Sequence, residues 1–433
     1  TLETIAFLSL PKKTKKPSLI IVPKSVLYNW KDEIKRFAPA LRVSLLDGSK
    51  EERLALINEM KDGKEGIYVT SYDSLRNDSS LYEGALFDTI VCDEAQTIKN
   101  ALALKSKAIK RLKGSFRLAL TGTPIENSMA DLWAIFDFLM PGYLRTLPIF
   151  KTTYVMAGNQ EEARRVLSKK VQPFLLRRTK DEVLKELPPK TVERISIPMD
   201  QESESFYLAT LQEARAKQKE MSRRSEKGSS DRYSSSFSML PILTKLREIC
   251  VDPGAFFDGF MTPSAKLSHA INLTKDGVLG GHKILVFSAF TKVLAHFSSL
   301  LLEEGIASFT IEGDVDSKKR IALANKFNNE NETKVMLVSL KAGGTGLNLQ
   351  GADIVIHLDP WWNFAAEEQA TDRAYRLGQK RPVTVYKLYC RKSIEEKVLE
   401  LQDSKKELYD SLIHASNSFL ATLSKEDLDF LLN

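Results

Sequence analysis

Two stretches of the chain alternate short apolar runs with runs of helical periodicity. In the first stretch the apolar runs are SLIIVP, GIYVTSY, FDTIVCDEA and FRLALTGTP. Val26, Trp30, Ile34 and Phe37 recur at helical spacing between the first two runs. Apolar strands that are separated by helices predict a parallel sheet covered by helices on both faces. This stretch therefore predicts one α/β lobe over residues 1–130.

The same alternation returns later in the chain. There the apolar runs are KILVFSAF, ASFTIEG, KVMLVSL, DIVIHLDP and TVYKLYC. After the first of them, Val293, Phe297, Leu300 and Leu301 fall on one face of a predicted helix. The chain as a whole is predicted to be an α/β protein with two parallel-sheet lobes. Its predicted parts are lobe one (1–130), helical insertions and a linker (131–262), lobe two (263–392) and a helical C-terminal tail (393–433).

Composition narrows the class of protein only a little. The 433 residues are 43% hydrophobic and 27% charged, which is typical of a globular protein and excludes collagen-like and disordered classes. The net charge of +7 suits a polyanionic partner. Cys92, Cys250 and Cys390 lie far apart without CxxC spacing, which indicates a reducing compartment and no zinc site in this chain. The apolar runs are strand-sized, so no membrane contact is expected.

An acidic pair ends one of the predicted strands. The run IVCDEAQ places Asp93 and Glu94 at the strand tip, where ligands of parallel sheets gather. One carboxylate at such a place can hold magnesium while its neighbour orients or deprotonates a water. A solvated turn is the more common explanation of an isolated pair. The next strand ends in LALTGTPIENS, and its turn at Thr121, Gly122 and Thr123 can hydrogen-bond to the acidic segment.

A glycine-rich run follows a strand of the second lobe, LKAGGTGLNLQGADIVIHLDPWWN. Gly343, Gly344 and Gly346 allow a ligand to approach the backbone closely, although the run has no GK[ST] and is no Walker A loop. A glycine turn without a ligand explains the run equally well. Of Trp361 and Trp362, one is predicted to lie in the core and the other to contact nucleic acid.

The run QATDRAYRLGQK carries two arginines three residues apart. We predict a helix bearing Gln369, Asp372, Arg373 and Arg376, with both guanidinium groups on one face. Paired arginines suit the charge that develops on a γ-phosphate during transfer. A surface helix with ion pairs is the alternative.

Taken together and in this order, the runs resemble the motifs of the Swi/Snf family, the double-stranded-DNA translocases of helicase superfamily two. IIVPKSVLYNW resembles motif Ia, DEAQ with IKN motif II, and LALTGTPIENS motif III. FLLRRTK resembles the family's helical insert, and ILVFSAF, the glycine-rich run and EEQATDRAYRLGQ resemble motifs IV, V and VI. The resemblance covers nearly the whole chain and implies two RecA-like lobes that use ATP and magnesium.

The resemblance also assigns roles. It implies that Asp93 binds magnesium, that Glu94 activates water, and that Arg373 and Arg376 are arginine fingers for ATP held by the other lobe. The nucleotide would further be contacted by Gln96, Gly344, Gly346 and Gln369. A DNA face is implied at Lys24, Ser25, Ser71, Tyr72, Ser288, Phe290, Lys341, Gly343, Thr345 and Trp362.

The first residues depart from the family pattern. The chain opens TLETIAFL where the family has a glycine-rich loop followed by GKT, so that Thr1 matches the hydroxyl that binds magnesium. The phosphate-binding lysine would precede Thr1. We therefore expect this polypeptide by itself to hydrolyse ATP poorly, since the loop and the lysine cradle the phosphates.

Two other interpretations stay open: an RNA helicase or restriction-type motor of the same superfamily, and a non-catalytic nucleotide- and DNA-binding scaffold. The expected partners are double-stranded DNA and proteins bound to it, such as a polymerase or a chromatin protein. The motor is expected to be a monomer. Its location would be the nucleoid in a prokaryote and the nucleus in a eukaryote.

Overall fold

The computed structural model divides into two compact units, of which the first contains residues 1–176 and the second residues 177–407. It describes residues 1–11, 14–100, 103–122, 129–156, 158–178, 184, 186–226, 232–260, 262–313, 315–343, 347–411 and 430–432.

The first unit is built on a five-stranded sheet in which all strands are parallel. The strands are β1 (Ser18–Val22), β2 (Val43–Leu46), β3 (Ile67–Ser71), β4 (Leu86–Cys92) and β5 (Lys113–Ala119). Their order is β2-β3-β1-β4-β5. Every residue of β1 and β3 is buried, as expected for strands covered by helices on both faces. Parallel pairing brings the carboxyl ends of β1, β3 and β4 to one edge of the sheet.

Eight α-helices accompany this sheet in the described part of the first unit. They are α1 (Leu2–Leu8), α2 (Leu27–Phe37), α3 (Lys50–Lys61), α4 (Tyr72–Asn77), α5 (Leu104–Lys110), α6 (Met129–Leu139), α7 (Leu147–Phe150) and α8 (Gln160–Val171). In α2 the predicted stripe is confirmed for Trp30 and Ile34, which are buried against the sheet, whereas Phe37 at the end of the helix is exposed. A capping box formed by Ser49 and Glu52 fixes the start of α3.

The second unit contains a six-stranded sheet, again with parallel strands throughout. The strands are β6 (Lys190–Ile197), β7 (Ile284–Ser288), β8 (Ser308–Ile311), β9 (Val335–Ser339), β10 (Ile354–His357) and β11 (Val383–Cys390). Their order is β6-β11-β10-β7-β9-β8. Successive residues of β7 pack into two different apolar clusters, since Leu285 lies in one and Ile284 and Val286 lie in the other. Both faces of this sheet are therefore covered, as the continuous apolar runs predicted.

The helices of the second unit surround this sheet. They are α9 (Gln201–Glu226), α10 (Arg232–Val251), α11 (Ala265–Leu279), α12 (Thr291–Glu303), α13 (Ser317–Asn329), α14 (Leu340–Gly343), α15 (Phe364–Thr371) and α16 (Ile394–Ser411). The predicted face of α12 is confirmed for Val293, Phe297 and Leu301, which are fully buried. No helix among the described residues is long and apolar enough to cross a membrane.

The α/β class with two parallel sheets is confirmed, but two strands were missed. β2 and β6 are edge strands, and an edge strand has a sheet neighbour on one side only. Most of β6 is exposed, and its Glu193 and Arg194 interrupt the apolar pattern. Because β6 pairs with β11, the second sheet begins inside the segment that was predicted to be helical insertions and linker.

Candidate functional site

The acidic pair lies at the carboxyl edge of the first sheet. The N–H of Asp93 donates to the carbonyl of Ile21 on β1 at 2.8 Å, which extends the strand pairing by one residue beyond β4. Glu94 then adopts a left-handed backbone with φ of 48° and precedes a short 3-10 helix, Ala95–Ile98. Such a conformation costs a non-glycine residue on the order of 1–3 kcal/mol and is common at functional sites.

Two buried aromatic side chains hold Asp93 from different directions. The indole Nε1 of Trp30 donates to Asp93 Oδ2 at 2.7 Å, and the hydroxyl of Tyr72 donates to the Asp93 carbonyl at 2.5 Å. The backbone N–H of Glu94 donates to the other carboxylate oxygen, Oδ1, at 3.0 Å. Burial raises the pKa of Tyr72 well above its usual value, so its hydroxyl is a neutral donor. The hydrogen bonds from Trp30 and Glu94 orient the Asp93 carboxylate, and the one from Tyr72 holds its backbone.

A chain of hydrogen bonds continues from Glu94. Gln96 Nε2 donates to Glu94 Oε2 at 2.8 Å, and Thr121 Oγ1 donates to Gln96 Oε1 at 2.8 Å. The predicted link between the acidic segment and the turn after β5 is therefore confirmed at Thr121. Thr123, which belonged to the same prediction, lies outside the described residues. The side-chain amide of Gln96 is thus hydrogen-bonded to both Glu94 and Thr121. Its predicted contact with nucleotide stays a prediction.

The residues predicted to face DNA in the first unit divide into exposed and buried ones. Lys24 is exposed and Ser25 partly exposed in the short helix after β1, so both remain available to a ligand. Ser71 is only 2% exposed, and its hydroxyl caps α4 by accepting the N–H of Ser74. Tyr72 is 3% exposed in the core. The predicted DNA contacts of Ser71 and Tyr72 are thus wrong, because these side chains complete the local fold.

Thr1 precedes α1 as its N-cap residue and is exposed. Its backbone carbonyl accepts the N–H of Ile5, while its hydroxyl makes no capping hydrogen bond. Its predicted contact with magnesium stays a prediction.

In the second unit, the two arginines lie on a turn and not on a helix. α15 ends at Thr371, and Arg373 and Arg376 follow it in a series of turns. Both arginines are partly exposed, whereas Ala374 and Tyr375 between them are buried against the sheet. The predicted helical face is therefore wrong. Packing of the two intervening side chains into the core draws the backbone away from the helical path, and we call residues 372–378 the arginine turn.

The other predicted nucleotide and glycine-run residues are only partly described. Gln369 lies in the last turn of α15 and is partly exposed. Gly343 ends the four-residue helix α14. Gly344, Thr345 and Gly346 lie outside the described residues, as does the side chain of Lys341. Their predicted ligand contacts stay predictions.

A buried ion pair organises the turn that follows β10. Asp359 accepts hydrogen bonds from Ser288 Oγ at 2.6 Å, from the Ala289 N–H at 3.1 Å and from Arg247 Nη2 at 2.9 Å. Arg247 Nη2 also donates to the Pro360 carbonyl at 3.0 Å. Burial raises the pKa of Asp359, although Arg247 and the hydrogen bonds oppose that shift. Because Ser288 is fully buried in this network, its predicted DNA contact is wrong.

Arg247 also lies against three aromatic rings. Its guanidinium carbon is 5.1 Å from the ring centre of Phe290 and 5.2 Å from each of the Trp361 and Trp362 rings. Trp362 is 7% exposed within an apolar cluster, while Trp361 is partly exposed. The prediction that Trp362 contacts DNA is therefore wrong, and Trp361 is the accessible member of the pair. Phe290 is partly exposed, and its predicted contact stays a prediction.

Further hydrogen bonds fix the backbone of Trp361. Its N–H donates to Glu367 Oε2 at 3.0 Å, and its carbonyl accepts from Gln402 Nε2. Burial opposes ionisation of Glu367, but Lys387, 2.6 Å from Glu367 Oε1, together with His357 and the Trp361 N–H, outweighs burial and lowers the pKa of Glu367. Periodicity gave no indication of Arg247, Glu367 or Gln402. A charged residue at a helix position flanked by apolar ones, as in KLREICV, was the available signal for Arg247.

Within the described residues, one group has the composition of a metal site. Potential ligand atoms of Cys250, Cys390 and Glu395 lie within 4.8 Å of one another. Lys266 Nζ donates to both oxygens of Glu395 at 2.6 Å, and the N–H of Cys390 donates to Oε2 at 2.8 Å. The carboxylate is therefore engaged in a buried ion pair, which ties α11 to the start of α16.

Comparison with protein families identifies the chain. The model of the SNF2-related domain matches residues 1–255, which is more than half of the chain and includes the acidic pair and its hydrogen-bonded neighbours. The chain belongs to the SNF2-related family. The helicase conserved C-terminal domain matches residues 265–378 of this SNF2-related chain, from α11 to the end of the arginine turn. The resemblance inferred from the motifs is thereby confirmed.

Curated relatives of this SNF2-related chain include bacterial proteins named as helicases. An uncharacterized ATP-dependent helicase of Mycoplasma pneumoniae is 39% identical over 412 residues, covering 95% of this chain and 38% of the relative. A Bacillus subtilis protein, provisionally named ATP-dependent helicase/translocase YwqA, is 36% identical over 449 residues, covering 100% of this chain and 47% of the relative. The chain thus spans less than half of the length of these relatives.

Among solved structures, this SNF2-related chain is similar to the Sulfolobus solfataricus SWI2/SNF2 ATPase core in complex with dsDNA. The two are 30% identical, with 99% of this chain and 88% of the other covered and a TM-score of 0.46.

Proposed function

We propose that this chain is the motor of an ATP-dependent double-stranded-DNA translocase, which hydrolyses ATP and moves along the duplex without necessarily separating the strands. The observation that carries the proposal is the arrangement around the acidic pair. Asp93 is oriented by Trp30, and Glu94 is joined through Gln96 to Thr121. A solvated turn after a strand would not need a buried indole to orient its carboxylate.

The acidic pair would perform the chemistry of ATP cleavage in the first unit. The carboxylate of Asp93 is a hard oxygen ligand of the kind that magnesium prefers, and Glu94 would orient and deprotonate the attacking water. Magnesium, when bound, neutralises charge on the phosphates. Thr121 would respond to the state of Glu94 through Gln96, and so convey it to the turn after β5.

The arginine turn would supply positive charge for the phosphates. Guanidinium groups stabilise the charge that accumulates on the transferred γ-phosphoryl group, and arginine contributions of this kind are large. Arg373 and Arg376 are partly exposed, as this role requires, and Gln369 lies at the end of the helix that leads into the turn.

DNA would be held by contacts that do not depend on its sequence. Lys24 and Ser25 are accessible after β1 and suit phosphate oxygens. Phe290 and Trp361 are partly exposed around the buried Arg247 and suit the sugar and base surface. A motor that tracks phosphates could displace DNA-bound proteins such as a polymerase or a chromatin protein. We propose that it works as a monomer wherever the cell keeps its DNA.

The proposal is tested by ATP turnover of the natural full-length polypeptide with double-stranded DNA, single-stranded DNA or RNA added. We expect stimulation by the duplex, and displacement of a triplex-forming strand as evidence of movement. Glu94→Gln should bind ATP but lower turnover by about 100-fold or more, because the general base is lost. Preferential stimulation by RNA would favour an RNA helicase, and absence of turnover in the unmodified protein would favour a scaffold.

A further inference from the structure

The end of the arginine run, Gly378–Gln379, has no role in the site described above. Gln379 is nevertheless only 8% exposed, and its Nε2 is directed at three main-chain carbonyls. The distances are 3.1 Å to Gln350, 2.7 Å to Ala352 and 3.2 Å to Ala374. Ala374 lies between the two arginines, and the other two acceptors belong to the loop that leads into β10. One amide group therefore joins the arginine turn to the loop before β10.

The other end of the same amide binds the chain that leaves the turn. Gln379 Oε1 accepts the backbone N–H groups of Lys380 at 2.9 Å and of Arg381 at 3.0 Å. Gly378 has φ of 101°, and a Cβ at this position would lie 2.6 Å from the side-chain oxygen of Gln350. The backbone can approach the loop this closely because residue 378 has no side chain.

The loop that receives Gln379 is itself anchored. The N–H of Leu349 donates to the carbonyl of Arg373 at 3.0 Å. Asn328, in α13, accepts the N–H of Gly351 at 3.0 Å and donates to the carbonyl of Asn348 at 2.9 Å. The arginine turn is therefore tied to a loop that is hydrogen-bonded to α13 and continues directly into β10, so its backbone position is set by the rigid part of the unit.

We propose that Gln379 is a positioning residue for Arg373 and Arg376, which sets the backbone of the turn from which both guanidinium groups reach the phosphates. This inference rests on the proposed function and deepens it. A glutamine is required here because its amide supplies two N–H donors for carbonyls and an oxygen for backbone N–H groups. A glutamate of the same shape would place a carboxylate against three carbonyl oxygens.

A positioning role and a purely structural role differ in what they change. If the arginines are displaced, their attraction to the charge that develops on the γ-phosphate in the transition state becomes weaker. The turnover number then falls, while ATP and DNA binding persist. A residue that only stabilised the unit would lower turnover, ATP-binding capacity and DNA-binding capacity together, in proportion to the loss of folded protein. For Gln379→Met, which keeps the length and loses every hydrogen bond, we expect kcat to fall about tenfold, equivalent to about 1.4 kcal/mol.

The experiment compares Gln379→Met with Thr274→Val in the natural full-length polypeptide. Thr274 is fully buried in the same unit and bonds only to the Ala270 carbonyl of its own helix, so this control removes a buried hydrogen bond away from both candidate sites. We expect the turnover number to fall only in Gln379→Met, with the KM for ATP and the half-saturating DNA concentration within twofold and the number of ATP and DNA molecules bound per chain unchanged. The milder Gln379→Asn gives the same pattern at smaller amplitude if Gln379→Met does not fold.

Two further measurements decide the mechanism. In a double-mutant cycle, Arg376→Ala should cost less in the Gln379→Met background than in the unmodified protein, because the arginine is already displaced. Hydrogen exchange of the amides in residues 372–378 should accelerate in Gln379→Met while exchange in β7 stays unchanged. Additive effects with unchanged exchange in the turn would overturn the proposal. The exchange measurement needs no ATP turnover, so it tests Gln379 even if the unmodified protein proves not to be a DNA-stimulated ATPase.

Discussion

The hydrogen bond between Trp30 and Asp93 makes a sharp prediction about magnesium. The indole Nε1 lies 2.7 Å from Asp93 Oδ2, and Trp30 is 2% exposed, so the donor comes from a side chain held in the core. A hydrogen bond to a charged group contributes about 1.5–3 kcal/mol, and loss of a partner that orients a metal ligand typically lowers metal affinity or activity by about 10–100-fold. Trp30→Phe keeps an aromatic ring in the core and removes the donor.

The assay is a magnesium titration of DNA-stimulated ATP turnover in the natural full-length polypeptide. For Trp30→Phe we expect the half-saturating magnesium concentration to rise about tenfold, because the Asp93 carboxylate loses the indole hydrogen bond that helps to orient it toward the metal. The half-saturating DNA concentration should change less than twofold. Tyr72→Phe removes the second donor to Asp93, at its backbone carbonyl, and should shift the magnesium curve in the same direction by a smaller factor.

Trp133→Phe is the matched control. Its Nε1 also makes a buried hydrogen bond, at 3.0 Å to the carbonyl of Arg145, and Trp133 is 8% exposed in the same unit. We expect this variant to lose comparable stability without a change in the magnesium curve. An unchanged curve in folded Trp30→Phe, or an equal shift in Trp133→Phe, would show that the indole does not orient a magnesium ligand.

Three other predictions follow from the second unit. Arg247→Lys keeps the charge but loses the planar group that packs against three rings, among them Phe290 and Trp361, the proposed DNA contacts. The half-saturating DNA concentration should therefore rise about five- to tenfold in a binding titration. Glu395→Gln leaves the ammonium of Lys266 buried without its counter-charge, so the free energy of unfolding measured by urea denaturation should fall by about 3–5 kcal/mol. Adding Lys266→Met to this variant should restore most of the lost stability. Burial lowers the pKa of His357 to about 4, so between about pH 6.5 and 4 this imidazole is protonated in the unfolded chain but neutral in the folded chain. Stability should therefore fall by up to about 3 kcal/mol as pH drops from about 6.5 to 4, and His357→Phe should flatten this dependence in denaturation curves measured across that range.

Much of the site could be predicted because its residues follow directly from strand ends. Asp93 and Glu94 come immediately after β4, and the link to Thr121 joins the ends of two neighbouring parallel strands. An apolar run in the sequence shows where a buried strand ends, and this is enough to predict which residues directly follow the strand. Lys24 and Ser25 were placed correctly at the same edge for the same reason.

The erroneous predictions concern which side chains face inward. The resemblance placed Ser71, Tyr72, Ser288 and Trp362 on the DNA face, and their polar or amphipathic side chains after apolar runs agreed with that placement. Ser71, Tyr72 and Ser288 are buried because a capping position or a partner distant in the sequence satisfies their polar atoms, as the Asp93 carbonyl does for the hydroxyl of Tyr72. Trp362 is buried in an apolar cluster with its ring against Arg247.

The apolar runs were enough to predict the two parallel sheets and the residues at their strand ends, since continuous apolar runs are stable only where both faces are covered. Tertiary structure alone decided the arginine turn and the partners of Arg247 and Gln379. Arg247 and Asp359 are 112 positions apart, and Gln379 is separated from its loop partner Gln350 by 29. Local periodicity carries no information about such pairs. They form because packing removes these polar groups from water, and a buried polar group without a hydrogen-bond partner is costly.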